Sequence, residues 1–334
     1  MTRERTAIIL FNLGGPSGEE TIEPFLFNFF MDENIIRAPK PIRCLIAKWI
    51  SWSRSRTAAK KAYSHLQGKS PLLANTFLQA KALEKSLNDP SLRVFVSMRH
   101  WHPFSEETMR EVIQFNPDKT ILIPLYPQFS TTTGKSSLED WHREARKLGF
   151  RCPSKDICCY PENDGFIEAS ADLIRAALEN APEGTRVLFS AHGLPEKIIR
   201  QGDPYQQQCG KTVDAIVQKL GIKDWQICYQ SRVGRLKWIG PSVEEALKKA
   251  AADKVGVVIY PLAFVSEHVE TLVEIDIEYR KMAARLRVPY FEKVPTVGTH
   301  PEFIAGLKNL VLSPKCGHTC EGRFSGCYQK VKNA

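Results

Sequence analysis

Three groups of residues in this chain have the types and spacing to do chemistry. The first centres on a histidine. The apolar run Val187-Leu188-Phe189 stops at Ser190-Ala191-His192-Gly193-Leu194-Pro195, so a buried strand delivers an imidazole at its carboxyl end, where open α/β sheets build their sites. An imidazole ionises near neutral pH and can take up a proton there. The second is an acid row between Ser266 and Tyr279. At about 100° per residue, Glu267, Glu270, Glu274 and Glu278 fall within roughly 80° of one another on a helix. Like charges four apart cost each pair about 0.2 to 0.5 kcal/mol, so such a row is either fully solvated or a track for a divalent cation or for protons. The third is Cys316, Cys320 and Cys327, spaced C-x3-C-x6-C in a glycine-rich tail that cannot form a core by itself. Cysteines so placed usually signal a metal. Zinc held by these three and His318 is one arrangement, unligated thiols another.

The elements that must position these groups read as short apolar runs. Strands are expected at Ala7 to Asn12, Arg93 to Ser97, Thr120 to Leu125, Asp156 to Tyr160, Val187 to Ser190, Gln226 to Gln230, Val255 to Pro261 and Pro289 to Lys293. Helical patterns lie between most of them, which implies parallel sheets in α/β layers. ILIPLYPQFS at Ile121 is echoed by VVIYPLAFVS at Val257, and FVSMR at Phe95 by CYQSR at Cys228. Either the chain is a duplication or short apolar runs match by chance. With 334 residues it is long for one domain. The expected fold is therefore α/β: two similar doubly wound, Rossmann-like domains with parallel sheets and a cleft between them. They would span 1–150 and 151–312, with a boundary near Gly149 to Pro153 and a cysteine-containing tail at 313–334. Two nucleotide motifs fail on spacing. Gly14-Gly15 lacks the GxGxxG pattern, and the Gly134-Lys135-Ser136 run has Phe129 where a phosphate loop needs glycine.

The net charge of +9 resembles a nucleic-acid footprint until it is located. Ten of the 46 basic residues lie between Asn34 and Leu83, a window without any acid, and the other 36 face 37 acids. The charge belongs to one local surface, 34–83, and nucleic acid is not an expected partner. Within it Ile42, Leu45, Ile46, Trp49 and Ile50 share one helix face, framed by Arg37, Lys40, Arg43, Lys48, Arg54, Arg56, Lys60 and Lys61. Such a face docks on anionic lipid, lines the mouth of a site for a flat acidic ligand, or is a core face whose reverse is basic. The start lacks the pattern of a secretory signal, and no eighteen-residue apolar run exists. The nine cysteines are then expected as reduced thiols or metal ligands. The expected location is cytoplasmic, or peripheral on the cytoplasmic face of a membrane.

SAHGLP followed by GDPY at Gly202, and SEHVETLVEIDIEY at Ser266, resemble the two signatures of the ferrochelatases. FNLGGP at Phe11, MRHWHP at Met98, YPQFSTTTG at Tyr126, QSRVG at Gln230 and WIGP at Trp238 extend the resemblance over most of the chain. It implies a chelatase-like fold and insertion of Fe2+ into protoporphyrin IX to form protohaem, the last step of haem biosynthesis, with release of two protons. His192 would then accept a proton and handle the substrate iron together with Glu270, with His268 orienting them. Glu267, Glu274 and Glu278 would form a proton or iron path on a helix distorted towards the π form. Porphyrin contacts carried over are Leu13, Arg54, Arg56, Ser70, Arg99, His100, Tyr126 and Trp238. Leu13 stands where some relatives have methionine and His100 where others have tyrosine, differences expected to adjust affinity. The basic stretch becomes a lip over the porphyrin and a membrane-facing surface. The resemblance also implies a [2Fe-2S] cluster on Cys316, Cys320 and Cys327 with Cys158 or Cys159 as the distant ligand, although the spacing differs from the animal pattern.

Three other readings compete. A cobalt or nickel chelatase for a more carboxylated tetrapyrrole shares the architecture, but the Trp-bearing lip favours an apolar porphyrin. A non-catalytic haem or porphyrin carrier has no use for a proton acceptor beside an acid row. An iron-sulfur redox sensor needs the cysteine tail and not His192.

Overall fold

The computed structural model describes residues 4–231, 236–313 and Tyr328. Two compact units form, each around its own four-stranded sheet. In the first, β1 (Thr6–Asn12), β2 (Leu92–Met98), β3 (Lys119–Pro124) and β4 (Ser154–Asp156) lie in the order β2-β1-β3-β4. In the second, β5 (Arg186–His192), β6 (Trp225–Gln230), β7 (Val257–Pro261) and β8 (Phe291–Lys293) lie in the order β6-β5-β7-β8. Every pairing is parallel. Such strands are covered on both faces, and for that reason β1 and β7 are apolar without alternation and buried along their whole length.

The two orders are the same, with β5 to β8 in the places of β1 to β4. The sequence echoes fall on matching strands, β3 with β7 and β2 with β6. In each sheet the connections diverge between the first and third strands, β1 and β3 or β5 and β7. A doubly wound sheet is open at the carboxyl ends of the strands on either side of such a point.

Local signals account for the helices that brace the second sheet. The helix Val243–Asp253 starts at Ser242, whose hydroxyl accepts from the Glu245 N–H (3.1 Å) while the Glu245 carboxylate accepts from the Ser242 N–H (2.6 Å). This reciprocal cap fixes the first turn. Val243, Ala246, Leu247 and Ala250 then fall on one face and pack with Leu188, Cys228, Val257 and Ile259 of the sheet. Truncating a fully buried leucine such as Leu247 costs about 2 to 5 kcal/mol.

Two expectations need correction. The run Asp156 to Tyr160 reads as a strand because it is apolar, but the ladder covers Ser154–Asp156. The Ile157 N–H still reaches the Leu122 carbonyl (2.9 Å), after which the Tyr160 N–H turns to Pro127 (2.8 Å). Nor is the division of the chain a single cut near residue 150. Among the described residues the first unit takes 4–126, 130–159 and 308–313, and the second takes 127–129, 160–231, 236–307 and Tyr328. Lysines hold 308–313 in the first unit: Lys155 Nζ donates to the carbonyls of Leu310 and Ser313, and Lys308 Nζ to that of Ser86.

Candidate active site

Side chains alternate along a strand, so Ser190 and His192 leave β5 on one face, and the parallel register sets Gln230 of β6 opposite His192. From the other side of the switch point, the chain beyond β7 enters a π-helix, Glu270–Tyr279. Windings of this kind are rare and concentrate at functional sites. His192 Nδ1 lies 2.8 Å from Glu270 Oε2. One turn on, Glu274 Oε1 accepts from the Ser231 N–H (2.8 Å) and the Tyr279 hydroxyl (2.8 Å), and its Oε2 from the Ser231 hydroxyl (2.5 Å). Tyr279 is five residues beyond Glu274, the interval that a π-helix brings into register. Ser231 makes its contacts from a left-handed backbone, φ 60°, a conformation that costs a non-glycine residue about 1 to 3 kcal/mol. The amide Nε2 of Gln230 sits 3.5 Å from Glu270 and 3.3 Å from Glu274.

These contacts separate the protonation states. Burial disfavours charge on His192, but Glu270 beside it and Glu274 beyond outweigh that, and its pKa rises above 6.5. Burial likewise works against an ionised Glu270, yet the opposing imidazole holds its carboxyl down at about 2. Glu274 moves the other way, raised by burial and by the neighbouring Glu270 charge. Burial lowers His268, whose Nδ1 lies 3.2 Å from the Ser266 carbonyl and whose ring stacks at 4.7 Å on Phe264. In neutral His192 the carboxylate holds the proton on Nδ1, which leaves Nε2 as the free base. Among the described residues nothing donates to Glu270 Oε1 or to His192 Nε2.

The structure gathers His192, Glu270 and Glu274, and does not bring Glu267 or Glu278 to them. Glu267 is tied to the buried Lys293 (2.6 Å) and accepts from the Thr296 N–H (2.9 Å) and the Thr271 hydroxyl. Glu278 is exposed. A straight α-helix sets all four acids on one stripe, whereas Glu267 precedes the π-turns and the wider winding rotates Glu278 away. Trp238 is half-buried in an isolated bridge with Pro195. Cys158 and Cys159 are buried with their sulfurs 3.8 Å apart, whereas Cys316, Cys320 and Cys327 lie outside the described residues. Sequence reasoning passed over Ser190, Gln230, Ser231, Tyr279 and Lys293. Signals for some of them lay in the motifs SAHGLP and QSRVG and in the echo of FVSMR in CYQSR, which sets Gln230 and Ser231 against Ser97 and Met98 at the end of β2.

In the first unit Arg99 follows β2 with every guanidinium nitrogen engaged: Nε on Ser136 (2.7 Å), Nη2 near Asp32 (3.0 Å) and Nη1 near Asp140 (3.5 Å). Burial opposes charge on Asp32, but Arg99 prevails and its pKa falls. His100 is buried against Phe29, and burial with the Arg99 charge pushes its pKa down to about 3, so it stays neutral. Burial raises the Tyr126 phenol. Leu13 is half-buried at the end of β1, its carbonyl accepting from the His100 N–H (2.9 Å). A Cβ on Gly15 would meet that of Ser70 at 2.5 Å, so this glycine is required by the approach of Ser70. Arg54 lies over Phe30, and Arg56 pairs with Glu23 (2.7 Å) over Trp52. The helix Lys40–Ser55 turns its apolar face outwards: Leu45 is 72% and Trp49 69% exposed, whereas Ala47 and Ser51 are buried. It is not a core face.

The sequence profile of the ferrochelatases matches residues 5–314. The chain belongs to the ferrochelatase family. The ferrochelatase of Wolbachia sp. subsp. Drosophila simulans (strain wRi) is 49% identical over 316 residues, covering 92% of this chain and 99% of the relative. That of Caulobacter vibrioides (strain NA1000 / CB15N) is 46% identical over 341 residues, 97% of each. Among solved structures, SirB from Bacillus subtilis with Fe3+ aligns with a TM-score of 0.58 at 13% identity, covering 96% of this chain and 98% of that one. That likeness bears on the fold, which the ferrochelatase family member shares with a chelatase. Among the described residues no helix is long and apolar enough to cross a membrane.

Proposed function

We propose that this chain inserts Fe2+ into protoporphyrin IX, forming protohaem in haem biosynthesis. The observation that carries the reading is the His192–Glu270 pair at the β5/β7 switch point, with an open basic nitrogen, in a member of the ferrochelatase family. Metallation replaces two pyrrole N–H protons by one divalent cation, so the protein must take up protons where iron enters. His192 Nε2 accepts a pyrrole proton, and the Glu270 carboxylate stabilises the resulting imidazolium. Glu274, with its raised pKa, is the next acceptor. His192 and the open oxygen of Glu270 are the groups that meet the incoming Fe2+, which is a substrate. Porphyrin contacts belong to Leu13, His100, Tyr126 and Trp238. Arg99, engaged by Asp32, Asp140 and Ser136, is a structural tie within the first unit.

The exposed Trp-bearing face of the Lys40–Ser55 helix, flanked by basic residues, supports docking on an anionic membrane surface from the cytoplasmic side. The cysteine spacing, with buried Cys158 as the distant ligand, supports a [2Fe-2S] cluster on Cys316, Cys320 and Cys327; such a cluster would supply one-electron chemistry or a structural staple. Iron and acid-labile sulfide measured on anaerobically purified protein test it, and their absence removes it.

The activity is tested by adding protoporphyrin IX and then Fe2+ anaerobically to the protein. Free-base bands converting to those of haem faster than without protein are the expected result. Porphyrin bound and never metallated would replace this reading with that of a carrier.

A further inference from the structure

Gln230 and Ser190 are almost wholly buried, at 1% and 0% exposure, beside the His192–Glu270 pair. A primary amide is nearly symmetrical in shape but not in chemistry, since one end accepts and the other donates. Here the Ser190 hydroxyl donates to Gln230 Oε1 at 2.7 Å, which turns the NH2 group towards Glu270 Oε2 and Glu274 Oε2. The reverse orientation would set a carbonyl against two carboxylates. Among the described residues the donors to Glu270 then converge on one oxygen: His192 and Gln230 lie within 3.5 Å of Oε2, and the Ser231 hydroxyl, whose hydrogen goes to Glu274, lies 3.4 Å from it. Among the described residues none donates to Oε1. The strand register builds the device, because Ser190 is two residues before His192 on the same face and Gln230 is the ladder partner of His192.

We infer that Gln230, its amide turned by Ser190, is a positioning residue that locks the Glu270 carboxylate with Oε2 on His192 and Oε1 free for the reacting centre. The inference rests on the proposed metallation. Gln230 is buried behind the pair, so its loss should act on turnover and not on porphyrin binding. Partners of this kind, one step removed from the reacting groups, change activity by about ten- to a hundredfold when lost.

The test compares S190T, S190V, Q230L and the S190V/Q230L double variant with wild type, by steady-state metallation of protoporphyrin IX. Thr and Val have the same size, so the packing cost of the added carbons is common to both and only the hydroxyl differs. S190T should stay within about twofold of wild type in kcat, whereas S190V and Q230L should fall about ten- to a hundredfold with KM for porphyrin unchanged. The double variant should be no slower than Q230L, because Ser190 acts through the amide. Equal kcat for S190T and S190V, a loss confined to KM, or losses that multiply in the double variant would each overturn the positioning role while leaving the activity in place. If Q230L does not fold, the Thr–Val pair decides alone. A wild-type protein that binds porphyrin without metallating it brings down the proposed function and this inference together.

Discussion

Replacing Glu270 by Gln removes the negative charge at His192 Nδ1 without changing the size of the side chain. A hydrogen bond to a charged group is worth about 1.5 to 3 kcal/mol, and its loss favours the neutral imidazole. The imidazole is 39% exposed, so solvent screening favours the lower end of that range. Glu274 becomes easier to ionise once its neighbour is neutral and restores part of the field. The sign follows from which form works. Neutral His192 is the proton acceptor, so activity rises as pH passes up through its pKa. In the wild type the carboxylate raises that pKa above 6.5. In E270Q burial acts with less opposition, the pKa falls, and the acid limb of the kcat/KM profile moves to lower pH. The base is also weaker, so the plateau drops about ten- to a hundredfold, the kinetic equivalent of the same 1.5 to 3 kcal/mol. The assay is anaerobic metallation followed by absorbance from about pH 5 to 9, with porphyrin affinity measured separately. An unshifted acid limb with a near-normal plateau would refute the reasoning, because His192 would then owe neither its basicity nor its orientation to Glu270.

H192A should abolish metallation while porphyrin still binds, and near-normal turnover would remove His192 from the mechanism. K293M leaves Glu267 partly buried without its cation and should cost about 3 to 5 kcal/mol in denaturant unfolding; an unchanged midpoint would mean that solvent replaces the lysine. Because Lys293 lowers the Glu267 pKa below 4.5 against burial, the pair stabilises fully above pH 4.5 and loses its contribution as pH falls through the folded value, so the gap between K293M and wild type should close in acid. Charge reversal at Arg43 and Lys48 should weaken sedimentation with anionic vesicles, and unchanged sedimentation would leave the Lys40–Ser55 helix without a lipid role.

The strands were legible because burial on both faces leaves unbroken apolar runs, and seven of the eight came out within a residue or two. The exception, β4, shows the limit: Ile157 to Tyr160 are as apolar as a strand and as buried, but pairing depends on what lies alongside, which composition does not encode. The acid row shows another. Its residues were visible, but the π-winding that unites Glu270 with Glu274 and sends Glu278 to solvent is set by hydrogen bonding five residues apart, which leaves no periodicity to read. His192 stood out by its place after an apolar run. Gln230 and Ser190 lie within the motifs QSRVG and SAHGLP but are uncharged and common in type, and their role shows only when the ladder sets one opposite His192 and the other two residues before it. The exposed face of the Lys40–Ser55 helix had an ordinary amphipathic pattern, and only the fold tells which side of such a helix is outside.

The return of residues 308–313 to the first unit has a consequence for synthesis. Their lysine-to-carbonyl ties reach partners at Ser86 and Lys155 that leave the ribosome far earlier. Between Cys159 and Lys308 the second unit is made, a stretch of about 150 residues that takes roughly 7 to 30 s at ordinary elongation rates. Throughout that interval the nascent first unit lacks its closing segment, and the carbonyl at the end of the helix Leu72–Leu87 waits for Lys308. The half of the chain born first therefore receives its closing segment only after most of the second unit has been made, and truncation before Lys308 would strip a piece from the amino-terminal unit.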